Sequence, residues 1–111
     1  RRHPELPHVR DGTGIPDLVR LQRELIDAAV CCLAPGGRLV FCTCSLLPDE
    51  GEAQLHWMRA RHPELRPDAD AIRRDRAPAA WRHGDAALRL RPDFWAERGG
   101  MDGFFIACLR L

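Results

Sequence analysis

Two cysteines set two residues apart, Cys42 and Cys44 in the run Leu39-Val40-Phe41-Cys42-Thr43-Cys44-Ser45, are the residues of this 111-residue chain best suited to covalent chemistry. A thiolate is a strong nucleophile, but an unperturbed cysteine thiol has a pKa of about 8.5, so little of it is ionised at neutral pH. A helix amino terminus nearby favours ionisation, whereas the acidic run Asp49, Glu50 and Glu52 opposes it. Cysteine also binds metals. Yet the chain has no Cys-x-x-Cys and no His-x-x-x-His pair, and no metal site is expected. The five cysteines, Cys31, Cys32, Cys42, Cys44 and Cys108, are odd in number and irregularly spaced, which points to reduced thiols in a cytoplasmic setting. Cys31, Cys32 and Cys108 read as small core residues, and Cys42 as a packed strand residue deeper in the sheet than Cys44. His8, His56, His62 and His83 have no sequence partner that suggests catalysis, and Trp57, Trp81 and Trp95 read as packing residues.

The elements that must position these thiols are set by local signals. Leu18, Leu21, Leu25, Ala28 or Ala29, and Cys32 recur at helical spacing, predicting a helix from Asp17, as its cap, to about Leu33 or Ala34. Pro35-Gly36-Gly37 stops it. Arg38 to Cys44 follows as an almost uninterrupted apolar run, the pattern of a strand covered on both faces in the middle of a parallel sheet. Cys44 stands at its carboxyl end, the edge of an open α/β sheet beyond which ligands bind. Pro48 suits a first helical turn, and its helix is expected to run to about Arg61, since His62 precedes Pro63. Residues 63–84 are weakly patterned, with a short helix around Asp68 to Arg74. Ala86 to Arg91 alternates apolar and basic, fitting a strand nearer the sheet edge. Pro92 to Met101 reads as loop, and Phe104 to Leu111 as a strong final strand.

Composition narrows the function classes. The net charge is +1, and 45% hydrophobic with 30% charged residues is ordinary for a globular domain. No run has the length of a membrane span and nothing resembles a signal peptide. Between Arg59 and Arg91 nine arginines face five acids, an excess that reads as a solvated face before it reads as a phosphate contact. Residues 1–16 have loop chemistry, with Pro4, Pro7, Pro16, Gly12 and Gly14. A chain opening this way reads as part of a larger domain.

Three stretches together resemble a known family. Pro35 to Glu50, with Thr43-Cys44-Ser45 at its centre, is similar to the Thr-Cys-Ser motif of the RsmB/Sun (NSUN-type) RNA cytosine-5 methyltransferases. Arg1-Arg2-His3-Pro4-Glu5 resembles the stretch just after that family's Pro-Cys motif, and Asp102-Gly103-Phe104-Phe105-Ile106-Ala107 resembles its closing strand. The resemblance covers most of the chain outside residues 63–85. It implies an α/β fold, the carboxy-terminal half of a Rossmann-like S-adenosylmethionine-dependent methyltransferase sheet. In that fold the last strand runs antiparallel beside the strand ending in Thr-Cys-Ser. Residues 1–111 then form the carboxy-terminal portion of the catalytic domain. The glycine-rich turn, the ribose-binding acid and the Pro-Cys motif have no counterpart here, so no cofactor-binding residue is expected in this chain, and one side of its central strand should be exposed.

The resemblance further implies a role for each candidate. Cys44 is the nucleophile that adds to C6 of cytosine and makes C5 able to accept a methyl group. Arg1, Arg2 and His3 are substrate-binding candidates, the substrate being RNA, ribosomal RNA in a bacterial cytoplasm, with no metal and no membrane partner. Two other readings stay open: a Rossmann-like methyltransferase without a cysteine nucleophile, and a non-catalytic module that pairs with another chain.

Overall fold

The structure, a computed structural model, describes residues 11–74 and 77–111. Helix α1 spans Ile15–Cys31 and strand β1 Arg38–Thr43. A 3-10 turn at Pro48–Glu50 leads into α2, Glu52–Arg61. Then come β2 (Arg66–Pro67), α3 (Ala69–Arg74), β3 (Arg82–His83), β4 (Ala87–Leu90) and β5 (Phe104–Arg110). Turns at Ala79–Trp81 and Ala96–Arg98 connect them.

The sheet order is β1-β5-β4-β3, with β2 pairing the far end of β5. β5 lies antiparallel to β1, with Arg38 opposite Arg110 and Thr43 opposite Phe105. It is also antiparallel to β4, with Ala87 opposite Ala107 and Leu90 opposite Phe104. β1 and β4 therefore run in the same direction with the last strand inserted between them, the arrangement implied by the family resemblance. β4 lies second from the sheet edge, with the two-residue β3 paired along its outer side.

The pleat sends Phe105, Ala107 and Leu109 to one face of β5 and Ile106 and Cys108 to the other. On the first face Ile26 of α1 and Leu55 and Met58 of α2 join Leu39, Ala87 and Phe105 in the main core. On the second, Ile72 of α3 packs with Leu88 and Cys108, flanked by Trp81 and Ile106. Asp68 fastens this end of the sheet. It accepts from Arg38 Nε at 2.8 Å and from the Ala71 amide at 3.0 Å, with Arg110 at 3.3 Å.

Several local expectations are corrected. α1 begins two residues early, because Pro16 fits a first helical turn, and Asp17 lies inside that turn while Gly14 occupies the cap position. The Leu18, Leu21 and Leu25 stripe that reveals the helix is not the face that packs: these side chains are 47%, 49% and 62% exposed. Ile26, Ala29, Val30 and Leu33 hold the helix to the sheet instead. β1 is covered on one face only. Leu39 is buried, but Val40 is 55% exposed and Cys42 is exposed. Cys31 and Cys32 are exposed too, since the end of α1 turns them away from the core, whereas Cys108 is buried. The helix foreseen from Pro48 to Arg61 is broken at Gly51, whose φ and ψ of −121° and −93° are not helical.

Phe105 is fully buried at the centre of this packing. Phe105→Ala is expected to cost about 3–5 kcal/mol, a large share of the stability of a small domain. A urea midpoint unchanged by the substitution would contradict this account of the core.

Candidate active site

Cys44 is the first residue beyond β1 and its side chain is exposed. The turn that follows is tied back on itself. The Ser45 amide donates to Thr43 Oγ1 at 3.1 Å, and the Leu47 amide donates to Ser45 Oγ at 3.1 Å. Such short side-chain to backbone bonds are how Ser and Thr shape turns. Leu46 is seated over Gly103, where an added Cβ would come within 2.2 Å of Leu46 Cδ2. Gly103 precedes β5, so the Asp-Gly-Phe-Phe segment meets the Thr-Cys-Ser segment at this point.

A second fixture comes from β4. Arg89 and Thr43 lie on opposite sides of Phe105 in the sheet register. The Arg89 guanidinium crosses the Phe105 ring, its Cζ 4.8 Å from the ring centroid. It donates from Nη1 to the Ser45 carbonyl at 2.7 Å and from Nε to Glu52 Oε1 at 2.8 Å, while Nη2 donates to Glu52 Oε2. Gly51 leaves room for it: a Cβ there would stand 2.2 Å from Nη2 and 3.2 Å from the Phe105 ring. The break at Gly51 thus lets an arginine from across the sheet reach the start of α2. Arg89 holds the Glu52 carboxyl below the usual glutamate range, chiefly through this hydrogen-bonded fork. Of the other acids foreseen near the thiol, Glu50 accepts from Gln22 Nε2 at 2.8 Å and Asp49 is exposed.

The remaining sequence candidates separate from this cluster. Arg1, Arg2, His3 and His8 lie outside the described residues. His62 joins α1 to the end of α2, its Nε2 2.6 Å from Asp27 Oδ1, and His83 meets the edge of Phe105. Trp57 packs at the core margin. Trp81 stacks on Phe94 and meets Trp95 edge-on, and Trp95, 42% exposed, has a left-handed φ of 55°. In the arginine-rich stretch, Arg59, Arg61, Arg73 and Arg91 each face a carboxylate with their side chains at least half exposed, the pairing expected of a solvated face, whereas Arg89 is covered. Among the described residues no three His, Cys, Asp or Glu side chains converge as metal ligands, and no helix is long and apolar enough to cross a membrane.

A motif cysteine at a strand end, a closing strand inserted antiparallel beside it and an Asp-Gly-Phe-Phe entry packed on the motif loop make one connected arrangement. The family described as 16S rRNA methyltransferase RsmB/F matches residues 1–110. The chain belongs to that family. Among relatives of this RsmB/F chain, the ribosomal RNA small subunit methyltransferase B of Salmonella arizonae is 42% identical over 64 residues, 58% of this chain and 15% of the relative. Its counterpart in Yersinia pseudotuberculosis is 44% identical over the same coverage. The crystal structure of PH0851 superposes with a TM-score of 0.69 at 30% identity, over 94% of this chain and 21% of that one. The match thus spans about one-sixth of the length of the curated RsmB relatives.

Gly36 and Gly37 turn the chain at the amino end of β1, the edge opposite Cys44. At the nearer edge the Gly99 and Gly100 amides are taken by the Ala96 and Trp95 carbonyls.

The strand end at Cys44 was legible in the sequence; the bonds of Arg89 were not, because its basic neighbours in an alternating strand suggested solvent. Because Glu52 has a lowered folded pKa, the stability from its pairing is present above its unfolded pKa of about 4.3 and is lost as pH falls through the folded value. Acid titration followed by thermal unfolding is expected to show a loss of stability beginning just below that pH. Glu52→Gln should be less stable near neutrality and flatter across the acid range. Parallel curves for the two proteins would refute the pairing.

Proposed function

We propose that residues 1–111 are the carboxy-terminal portion of an RsmB/NOP-type methyltransferase domain, which methylates carbon 5 of cytosine in ribosomal RNA in the cytoplasm. The observation that carries this reading is the exposed Cys44 at the carboxyl end of β1, on a loop fixed at both sides by Gly103 and Arg89. Carbon 5 of cytosine is a poor nucleophile. Addition of the Cys44 sulfur to C6 breaks the C5–C6 double bond and turns C5 into an enamine-like carbon, dividing one difficult step into easier ones. S-adenosylmethionine would supply the methyl group to C5, its sulfonium leaving as the neutral thioether S-adenosylhomocysteine. Transfer of the C5 proton to a base or to water would then re-form the C5–C6 double bond and expel the Cys44 sulfur as thiolate. Arg1, Arg2 and His3 are assigned to the RNA side of the site.

Cys42 is the rival thiol, exposed and only two residues away. It lines a groove of about 300 Å³ between α1 and the edge of β1 away from β5, together with Gln22, Leu25, Ile26 and Val40. We assign the groove, the leucine stripe that shares Leu25 with it, and the edge of β1 that has no strand partner among the described residues to contact with the remainder of the domain.

Two experiments test the reading. In the full-length protein, Cys44→Ala should abolish covalent capture by RNA carrying 5-fluorocytosine, and Cys42→Ala should leave capture intact. Capture surviving Cys44→Ala would eliminate Cys44 as nucleophile. For the apolar surface, Leu25→Asp should shift the stability of the 111-residue chain by no more than about 0.5 kcal/mol. The same change should prevent co-purification with the amino-terminal half supplied separately. Undiminished co-purification would remove this face from the contact.

A further inference from the structure

We infer that Arg89 is the residue that positions the nucleophile: its guanidinium holds the backbone beside Cys44 in the geometry from which the sulfur attacks. The inference rests on the reading of Cys44 as nucleophile and extends it to a residue two strands away in the sheet order. Three observations carry it. Arg89 donates to the carbonyl of Ser45, the residue bonded to Cys44, at 2.7 Å. The same guanidinium is itself locked, because both Glu52 oxygens accept from it and the Phe105 ring lies beneath it. Its side chain is only 14% exposed, and Gly51 provides the space it fills. A clamp anchored on α2, β4 and β5 at once transmits little motion to the peptide it grips.

Lysine cannot reproduce this. Its single ammonium lacks the planar fork that reaches a carboxylate with two nitrogens while a third hydrogen bond goes to a carbonyl. Arg89→Lys keeps the charge and the stem over Phe105, so it separates the clamp from the charge. Arg89→Met removes both.

The test is single-turnover capture of 5-fluorocytosine RNA by the full-length protein, with RNA affinity measured separately. The shielding of Cys108 from a thiol reagent is measured in the same samples, since that cysteine is buried in the intact fold. Misplacing a reacting group by about 1 Å costs on the order of 100-fold in rate. Arg89→Met is therefore expected to slow adduct formation by roughly 10- to 100-fold and Arg89→Lys by less, with RNA affinity unchanged and Cys108 still shielded. Rates equal to wild type in both variants would overturn the inference. So would a rate loss that appears only together with exposure of Cys108, since Arg89 would then serve the fold alone. Cys44→Ser is run alongside. Adduct persisting in that variant overturns the nucleophile reading itself, whereas adduct lost there but normal in both Arg89 variants overturns only the role of Arg89.

Discussion

The insertion of β5 between β1 and β4 is the constraint on which the rest of the molecule depends. Six residues of β1 and four of β4 are paired to it, so its register sets both neighbours at once. A slip by one residue would exchange the faces of the strand, putting Ile106 and Cys108 where Phe105 and Ala107 now meet the two helices. The register places Thr43, Phe105 and Arg89 in a single row across three strands. Cys44 is the next residue beyond that row, and Gly103 lies two residues before Phe105 under the same loop. The position of the thiol is thus a consequence of strand pairing far more than of its own turn.

Along that row, the arginine fork differs in kind from the exposed ion pairs. Arg20 and Glu24 meet at 2.9 Å, but both side chains are more than half exposed, and such pairs contribute little. Arg89 and Glu52 are 14% and 27% exposed, bidentate, and joined to a backbone carbonyl. Charge-assisted forks of this type combine strength with fixed direction. Direction is what the loop needs, because the Ser45 carbonyl has no strand partner once β1 has ended.

What could be read in the sequence was whatever local chemistry decides. Pro35-Gly36-Gly37 ends α1 near the foreseen point and Gly36 adopts a φ of 73° that favours glycine. The short α3 and the strands β1, β4 and β5 also fall within a residue or two of expectation, since turn residues and period-two patterns are properties of neighbouring positions. Contacts between distant positions were not legible. The alternation of Ala86 to Arg91 predicts a strand, yet it does not tell which face meets Phe105, and Arg89 lies on the covered one. Gly51 falls inside the helix expected from Pro48, and the space it leaves is filled by a guanidinium contributed 38 positions later. The exposure of Cys31, Cys32 and Cys42 has the same origin: apolar character shows what a side chain prefers, not whether this chain supplies its cover.

That last point bears on how the site is built. α1 carries apolar residues on two faces, one packed through Ile26 and Val30 and one open through Leu18, Leu21 and Leu25. β1 likewise has one edge paired with β5 and, among the described residues, no strand on the other. A strand edge and an apolar stripe left together attract a partner. Apart from the Thr43 hydroxyl, which holds the turn from within β1, the groups described as fixing the Cys44 loop, Arg89, Glu52, Gly103 and Phe105, belong to β4, β5, their flanking loop or the start of α2. None of these four lines the groove. The loop geometry is therefore set before anything covers the groove, and whatever docks there meets a thiol already held in place.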